Sequence, residues 1–375
     1  MNAATSQNPV GGRQLSAAQG AWIVAEREIS TKLRSKAFLI STGVLLLLML
    51  GAVVFGGIIS QTGGFGGKTS VAVVAETAAK VDAQVFDVTS VADRAAAERA
   101  VLDGDVDAAV VPGGDTEVGL TVLAADEPPM GLVQALSASP SIELLDPVSQ
   151  NPLIAYFIAI AFGIVFMMSA ITFGATIAQS VVEEKQTRIV EILLASISAR
   201  TLMAGKILGN SILALGQIVA IAALASVGML ATGQDLLLGE LGSSLIWFAI
   251  LFALGFVLLA SLYAALASLV SRQEDVASAT SPVMWLIMIP YIAIIMFHTN
   301  PEALAIMSYI PFSAPVGMPM RLFLGTAEWW EPYLSALVLL VSIAIVIRIG
   351  ARIYERSILR TGQRVKLGEA LKADA

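Results

Sequence analysis

The chain has no cysteine and a single histidine, His298, among 375 residues. Disulfides, thiolate metal sites and cysteine nucleophiles are excluded, and so is any H-E-x-x-H zinc site. A histidine-based triad would have to use a residue at the end of an apolar run. Charge is scarce as well: Asp, Glu, Lys and Arg make up 14% of the residues, against about 25% in soluble domains. Hydrophobic residues make up 57%, and this balance cannot clothe a water-facing surface. The apolar residues gather into runs near 37–59, 152–175, 207–230, 243–270, 281–298 and 332–350. A helix needs about 20 such residues to cross roughly 30 Å of hydrocarbon. Six transmembrane helices are therefore expected. The net charge of −7 argues against a nucleic-acid partner.

Residues 1–20, rich in Gly, Ala, Ser and Gln, lack apolar periodicity and read as a disordered tail. From Trp22 onward, Trp22, Ile29 and Leu33 fall near one helical face while Glu26, Arg27, Lys32 and Arg34 point elsewhere, a pattern that suits a helix lying on a membrane surface. The first run, 37–59, follows a basic approach like that of a secretory signal, yet it exceeds the usual apolar core of about 7–15 residues. It reads as an uncleaved anchor. Gly63-Gly64-Phe65-Gly66-Gly67 then forms a joint into 68–150, where β-branched runs (71–75, 106–111, 118–123) alternate with helical stretches (92–102, 129–136). This predicts a small α/β domain between the first and second spans.

Lys and Arg collect on the cytoplasmic side of membrane proteins. Seventeen of the 22 fall in four segments, 1–36, 176–206, 271–280 and 348–375, which places both termini inside and 60–150 outside. The expected organisation is a cytoplasmic tail and surface helix (1–36), the first span (37–59), an extracytoplasmic α/β domain (60–150), five further spans (151–350) and a basic cytoplasmic tail (351–375). In that tail Arg348, Arg352, Arg356 and Arg360 recur every four residues, as on a helix leaving the bilayer along anionic headgroups.

Gly66-Gly67-Lys68-Thr69 suggests a phosphate-binding loop, but G-x-x-x-x-G-K-[ST] requires glycine at position 62, which is Thr62. Asp103, Asp105 and Asp107 surround Gly104 before a strand and read as turn residues. Ser169, Thr172, Thr176 and Gln179 are spaced 3, 4 and 3 apart, so they share one face of the second span. Such a stripe lines a path or a seam between chains, or it bonds to its own backbone against neighbouring helices. Pro311, Pro315 and Pro319 break the apolar stretch 309–324 into pieces too short to span.

Between the second and third spans the chain reads Glu183-Glu184-Lys185-Gln186-Thr187-Arg188-Ile189-Val190-Glu191-Ile192-Leu193-Leu194-Ala195-Ser196, continuing to Gly205-Lys206-Ile207-Leu208-Gly209. A helix over 181–194 would set Glu184 beside Arg188 at i,i+4. This stretch closely resembles type-2 ABC transporter permeases, particularly the sodium-efflux-permease branch. The surface segment before the first span, the large outward domain and the six-helix topology are similar too; Ile197 stands where such permeases often carry proline.

The resemblance implies a permease subunit of an ATP-driven exporter. It would be no enzyme itself and would bind no cofactor, with ATP and Mg held by a cytoplasmic ATPase partner and a second permease chain, identical or different, completing the path in a bacterial cytoplasmic membrane. Helix 181–194 would be the coupling helix. Glu183, Glu184, Lys185, Arg188, Glu191, Gly205 and Lys206 would face the ATPase, with Val190, Ile192, Leu193 and Leu194 entering a groove and Arg272, Glu274 and Asp275 adding a smaller contact. Re-entrant pieces between the fifth and sixth spans fit the same family. Two other classes remain open: an ion-coupled secondary transporter, which would call for carboxylates inside the spans, and a sensor or assembly protein with an outward receptor domain.

Overall fold

The computed structural model describes residues 16–62, 69–113, 119–125, 130–136, 152–233, 235–360, 365 and 367–371. The glycine-rich joint with Lys68 lies outside them, as do most of the basic tail residues beyond Arg360. Two compact units are present.

The larger unit is helical. Helix α1 (Ala17–Leu33) starts on a capping box in which Ser16 Oγ accepts from Gln19 N and Gln19 Oε1 accepts from Ser16 N. Two residues later α2 (Lys36–Thr62) begins the first span.

The smaller unit holds β1 (Ser70–Val73), β2 (Asp87–Ser90), α3 (Arg94–Leu102), β3 (Ala108–Pro112), β4 (Leu120–Ala124) and α4 (Met130–Leu136). The strand order is β2-β1-β3-β4, with β1 parallel to both neighbours and β4 antiparallel to β3. Successive strand residues face opposite ways, so Val71, Val73 and Val110 pack with Phe86 and Leu132 on one side. Ala72, Val74, Ala109 and Val111 pack with Ala97 and Val101 of α3 on the other. Burial on both faces explains why β1 and β3 are nearly uninterrupted apolar runs. Gly104 takes φ +77 in the turn before β3, where Asp107 Oδ2 accepts from Ser70 N and Oγ at 2.8 Å each. The acidic trio is thus turn chemistry that also ties β3 to β1.

The chain continues through α5 (Pro152–Gln186), α6 (Ile189–Leu194), α7 (Ala199–Ala231), α8 (Asp235–Ser268), α9 (Val276–Met296), α10 (Pro301–Met307), α11 (Ala314–Phe323), α12 (Glu331–Ser357) and α13 (Leu367–Leu371). Six of these helices, α2, α5, α7, α8, α9 and α12, are long and apolar enough to cross a membrane, matching the expected number and positions. Helix α12 runs to Ser357, so residues 351–357 continue the last span where a tail was expected to start.

Helices α5 and α8 share a ladder of phenylalanine rings: Phe162 on Phe248, Phe166 on Phe252 and Phe173 on Phe256, with centroids 4.7, 5.8 and 6.0 Å apart. The pairs rise together in number, so the two helices run parallel, as the second and fourth spans of an alternating chain must. Gly163 and Gly174 of α5 receive the rings of Tyr291 and Tyr263, which lie within 2.1 and 2.4 Å of where a Cβ would stand.

Within 309–324, which the prolines were expected to break into pieces, residues 314–323 form one short helix, α11, that carries Pro315 in its first turn and continues through Pro319; α10 lies before this stretch. Nine of the ten residues of α11 are buried, and Pro315 sits against Gly255, midway along the Leu241–Ser268 span. The return limb is tied by a buried ion pair. Arg321 donates to Glu331 at 2.7 and 3.1 Å, and Glu331 also accepts from Tyr309 Oη and Glu328 N. Glu331 stands in the first turn of α12, where a carboxylate also meets the helix dipole favourably. His298 contacts Ile295 O through Nδ1 and lies on the ring of Tyr156 at the end of α9.

Candidate functional site

The stretch 181–194 is not one helix. Residues 181–186 are the last turn and a half of α5; Thr187 Oγ1 then bonds back to Glu183 O, and Arg188 adopts φ +59, the one non-glycine positive φ among the described residues. Helix α6 restarts in a new direction. A left-handed residue costs about 1–2 kcal/mol for a side chain with a Cβ, so the break must be enforced by its surroundings. The expected Glu184–Arg188 pair consequently does not form, because Glu184 points inward to other partners.

Those partners divide the seven expected docking residues into two groups. Glu184, Lys185, Gly205 and Lys206 are buried. Lys206 has no exposed surface, and its ammonium lies 2.9 Å from Glu28 Oε1 of α1 and 3.0 Å from Glu184 Oε2 of α5. It also donates to Ser180 Oγ, and Arg27 of α1 closes on the other oxygen of Glu184. Two carboxylates and two cations thus neutralise one another, which a buried cluster requires because an unpaired charge there is costly. Beside it, Lys185 Nζ donates to Ser268 O at 2.7 Å and to Ser357 O at 2.9 Å. These carbonyls belong to the last residues of α8 and α12, where helices leave acceptors unfilled and favour a cation.

Gly205 and Gly209 shape the seat for α1. A Cβ on Gly205 would come within 2.5 Å of Val24 and 2.6 Å of Ala21 O, and one on Gly209 within 2.9 Å of Ala25 O. Gly20, Val24, Ala25 and Glu28 therefore form the inward face of α1, while Trp22, Ile23 and Leu33 remain exposed. The helix has a packed side as well as the apolar side that the sequence displays.

Glu183, Arg188 and Glu191 are exposed, and with them Ile189 and Ile192, the latter at 73%. Val190 is buried and holds α6 to the body of the protein. After α6, Ser198 Oγ accepts from Thr201 N to open α7. Ser196, Ile197, Ser198 and Thr201 meet Ser16 and Ala17 of α1 around a small cavity of about 210 Å³. Arg272 and Glu274 pair with each other on the surface.

The polar stripe on α5 is split as well. Ser169 is buried and accepts from Gln217 Nε2 of α7, and Thr176 accepts from Lys32 Nζ of α1. Thr172 and Gln179 stay exposed on the far edge of the same face. Arg27, Glu28 and Ser180 were not singled out by the sequence. The signals that point to them are the Gly205/Gly209 spacing of four, which invites a helix to sit close, and a carboxylate on the α1 face that the glycines receive.

The family model for ABC-2 family transporter proteins matches residues 36–352, from the start of α2 nearly to the end of α12. The chain belongs to this family. Uncharacterized protein YhaP of Bacillus subtilis (strain 168) is 27% identical to this chain over 410 aligned positions, covering 91% of this chain and 95% of that protein. Uncharacterized protein MJ1024 of Methanocaldococcus jannaschii is 31% identical over 223, covering 58% of this chain and 54% of that protein. No solved structure matches the chain. ABC-2 membership agrees with a multi-pass membrane subunit of an ABC transporter.

Proposed function

We propose that this chain is the transmembrane permease subunit of an ATP-driven ABC exporter, working by alternating access powered by a separate ATPase subunit that binds ATP and Mg. In this reading the end of the bundle carrying α1 and α6 is cytoplasmic, both termini lie there, and the α/β unit is extracytoplasmic in a cell membrane. A second permease chain covers the exposed edge of the stripe at Thr172 and Gln179.

One observation carries the reading. Between two spans, the break at Arg188 turns out a short helix whose Ile189 and Ile192 are exposed and flanked by Glu183, Arg188 and Glu191. Behind it Glu184 and Lys206 are buried as an ion pair, and Lys185 is buried on two helix-end carbonyls. An apolar tip ringed by both signs of charge suits insertion into a groove of a soluble partner, with the charges setting register.

The experiment is co-purification of the tagged chain from its native membrane, with the associated ATPase identified by mass and by ATP hydrolysis. Truncating a charge desolvated at an interface commonly costs about 2–5 kcal/mol, and each 1.4 kcal/mol is about tenfold in affinity. Arg188→Glu and Ile192→Asp are each expected to keep insertion normal and to weaken ATPase association by tenfold or more. Wild-type association in both variants would remove α6 from the interface. A stable chain with which no ATPase associates would instead favour a secondary transporter or receptor.

A further inference from the structure

The permease reading leaves unexplained why two carboxylates and a lysine, Glu28, Glu184 and Lys206, are buried together behind the docking loop. The geometry points to α1: we propose that Lys206, with Glu28 and Glu184, is a positioning residue that locks α1 to the ends of α5 and α7. The docking loop, α1 and the start of the first span then move as one body.

Three observations support this. First, the ammonium of Lys206, carried by α7, forms ion pairs with carboxylates on two other helices, at 2.9 Å to Glu28 of α1 and 3.0 Å to Glu184 of α5. Sliding any of the three by one turn would strand a buried charge. Second, the Gly205 and Gly209 notch lets the Ala21 and Ala25 backbone and the Cβ atoms of Val24 and Glu28 rest directly on the α7 backbone, so α1 fits closely at this one register. Third, none of the described residues of α2 from Lys36 to Phe55 is buried, and Phe38 near its start rests on Phe173 of α5. Only Arg34 and Ser35 separate α2 from α1. Ser35 Oγ accepts from Phe38 N across that corner, and Lys32 of α1 reaches Thr176 of α5. The first span is therefore steered through α1, and α1 is steered by the ion cluster. This rests on the permease reading for the source of the motion; the lock itself does not.

The chain is its own cysteine-free background, so the test can use disulfides. A Cβ on Gly20 would lie 3.0 Å from Thr201 Cγ2, and Gly20→Cys with Thr201→Cys joins α1 to α7. Gly20→Cys with Ile197→Cys, where a Cβ on residue 20 would stand 4.0 Å from the Cβ of residue 197, is the second pair should the first not fold. In the chain alone, reconstituted in nanodiscs, oxidation is expected to cross-link either pair rapidly. Adding Lys206→Ala, or Glu28→Gln as the milder variant, should slow cross-linking at least fivefold. Propylammonium, which refills the vacated ammonium position, should restore the rate for Lys206→Ala but not for Glu28→Gln. Cross-linking at the unmodified rate in both variants would overturn the lock, whether or not an ATPase binds.

With the ATPase present, cross-linking rates in nucleotide-free and vanadate-trapped complexes should agree within twofold, and the oxidised pair should retain ATP hydrolysis. A tenfold difference between the two states, or loss of hydrolysis that dithiothreitol reverses, would show that α1 parts from α7 and would refute movement as one body. Failure of any ATPase to associate would count against the permease reading and leave the cross-linking result standing.

Discussion

At the scale of single residues, the backbone of Arg188 does more than its charge. Its left-handed conformation ends α5 and frees α6, and glycine reaches that conformation without the Cβ penalty. Arg188→Gly is therefore expected to keep the fold and leave the thermal midpoint in detergent unchanged or slightly raised. Arg188→Val should lower stability by about 1–2 kcal/mol or more, since a branched Cβ is poorly tolerated there. A midpoint that falls for Gly as much as for Val would assign the site to the guanidinium instead. This break was not legible in the sequence. The stretch Glu183 to Leu194 has unbroken helical spacing, with no glycine or proline to mark a stop, and local pattern could not reveal that Glu184 belongs to Lys206, 22 positions away, and to Arg27 of α1. Burial of Lys185 was hidden for the same reason, because its partners are carbonyls at the ends of helices 83 and 172 positions away.

At the scale of elements, legibility followed the strength of the apolar pattern. The six spans were plain because a run of about 20 apolar residues has few other uses, and β1 and β3 showed as β-branched runs buried on both faces. Strand β2, Asp87-Val88-Thr89-Ser90, was missed; it is a short, polar and mostly exposed edge strand, paired only with β1. The α1 helix was recognised by its apolar side, while its packed side, built from Gly20, Val24, Ala25 and Glu28, carries only one large apolar residue and so little hydrophobic signal. The stripe on α5 supplies a prediction at this scale. Replacing Thr172 by Val removes a hydroxyl from the exposed edge, whereas replacing Thr176 removes the acceptor of Lys32. Thr172→Val is expected to leave monomer stability within about 0.5 kcal/mol, as for surface changes, while altering cross-linking between permease chains through a cysteine at Met168. Thr176→Val should lower the thermal midpoint without affecting that contact. Identical behaviour of the two variants would mean that the stripe is not divided.

At the scale of the whole molecule, the placement of Lys and Arg orders the two sides of the membrane. The segment 68–150 carries 14 acidic against 4 basic residues, and scarcity of Lys and Arg favours the outside. Ser90 in β2 and Ser196 after α6 are both exposed, so single cysteines there report the two sides. On intact cells a membrane-impermeant maleimide is expected to label Ser90→Cys and to spare Ser196→Cys until the membrane is opened. The reverse pattern would invert the topology and take α6 away from any cytoplasmic partner.

Helix α5 is the longest element, 35 residues with no proline after its first position, whereas α9 contains Pro282 and Pro290. At 1.5 Å per residue it measures about 52 Å, well beyond the hydrocarbon thickness, and it passes two notches, Gly163 and Gly174, in which tyrosine rings from α9 and α8 rest. A straight rod seated on two rounded bearings behaves as a lever. Pivoting at Gly174, about 33 Å from Pro152 at 1.5 Å per residue, a tilt of about 5° becomes roughly 3 Å of travel at that end of the helix. The displacement is set by the distance from the bearing to the helix end, so a small rotation at one end arrives as an ångström-scale shift at the other without any helix having to unwind.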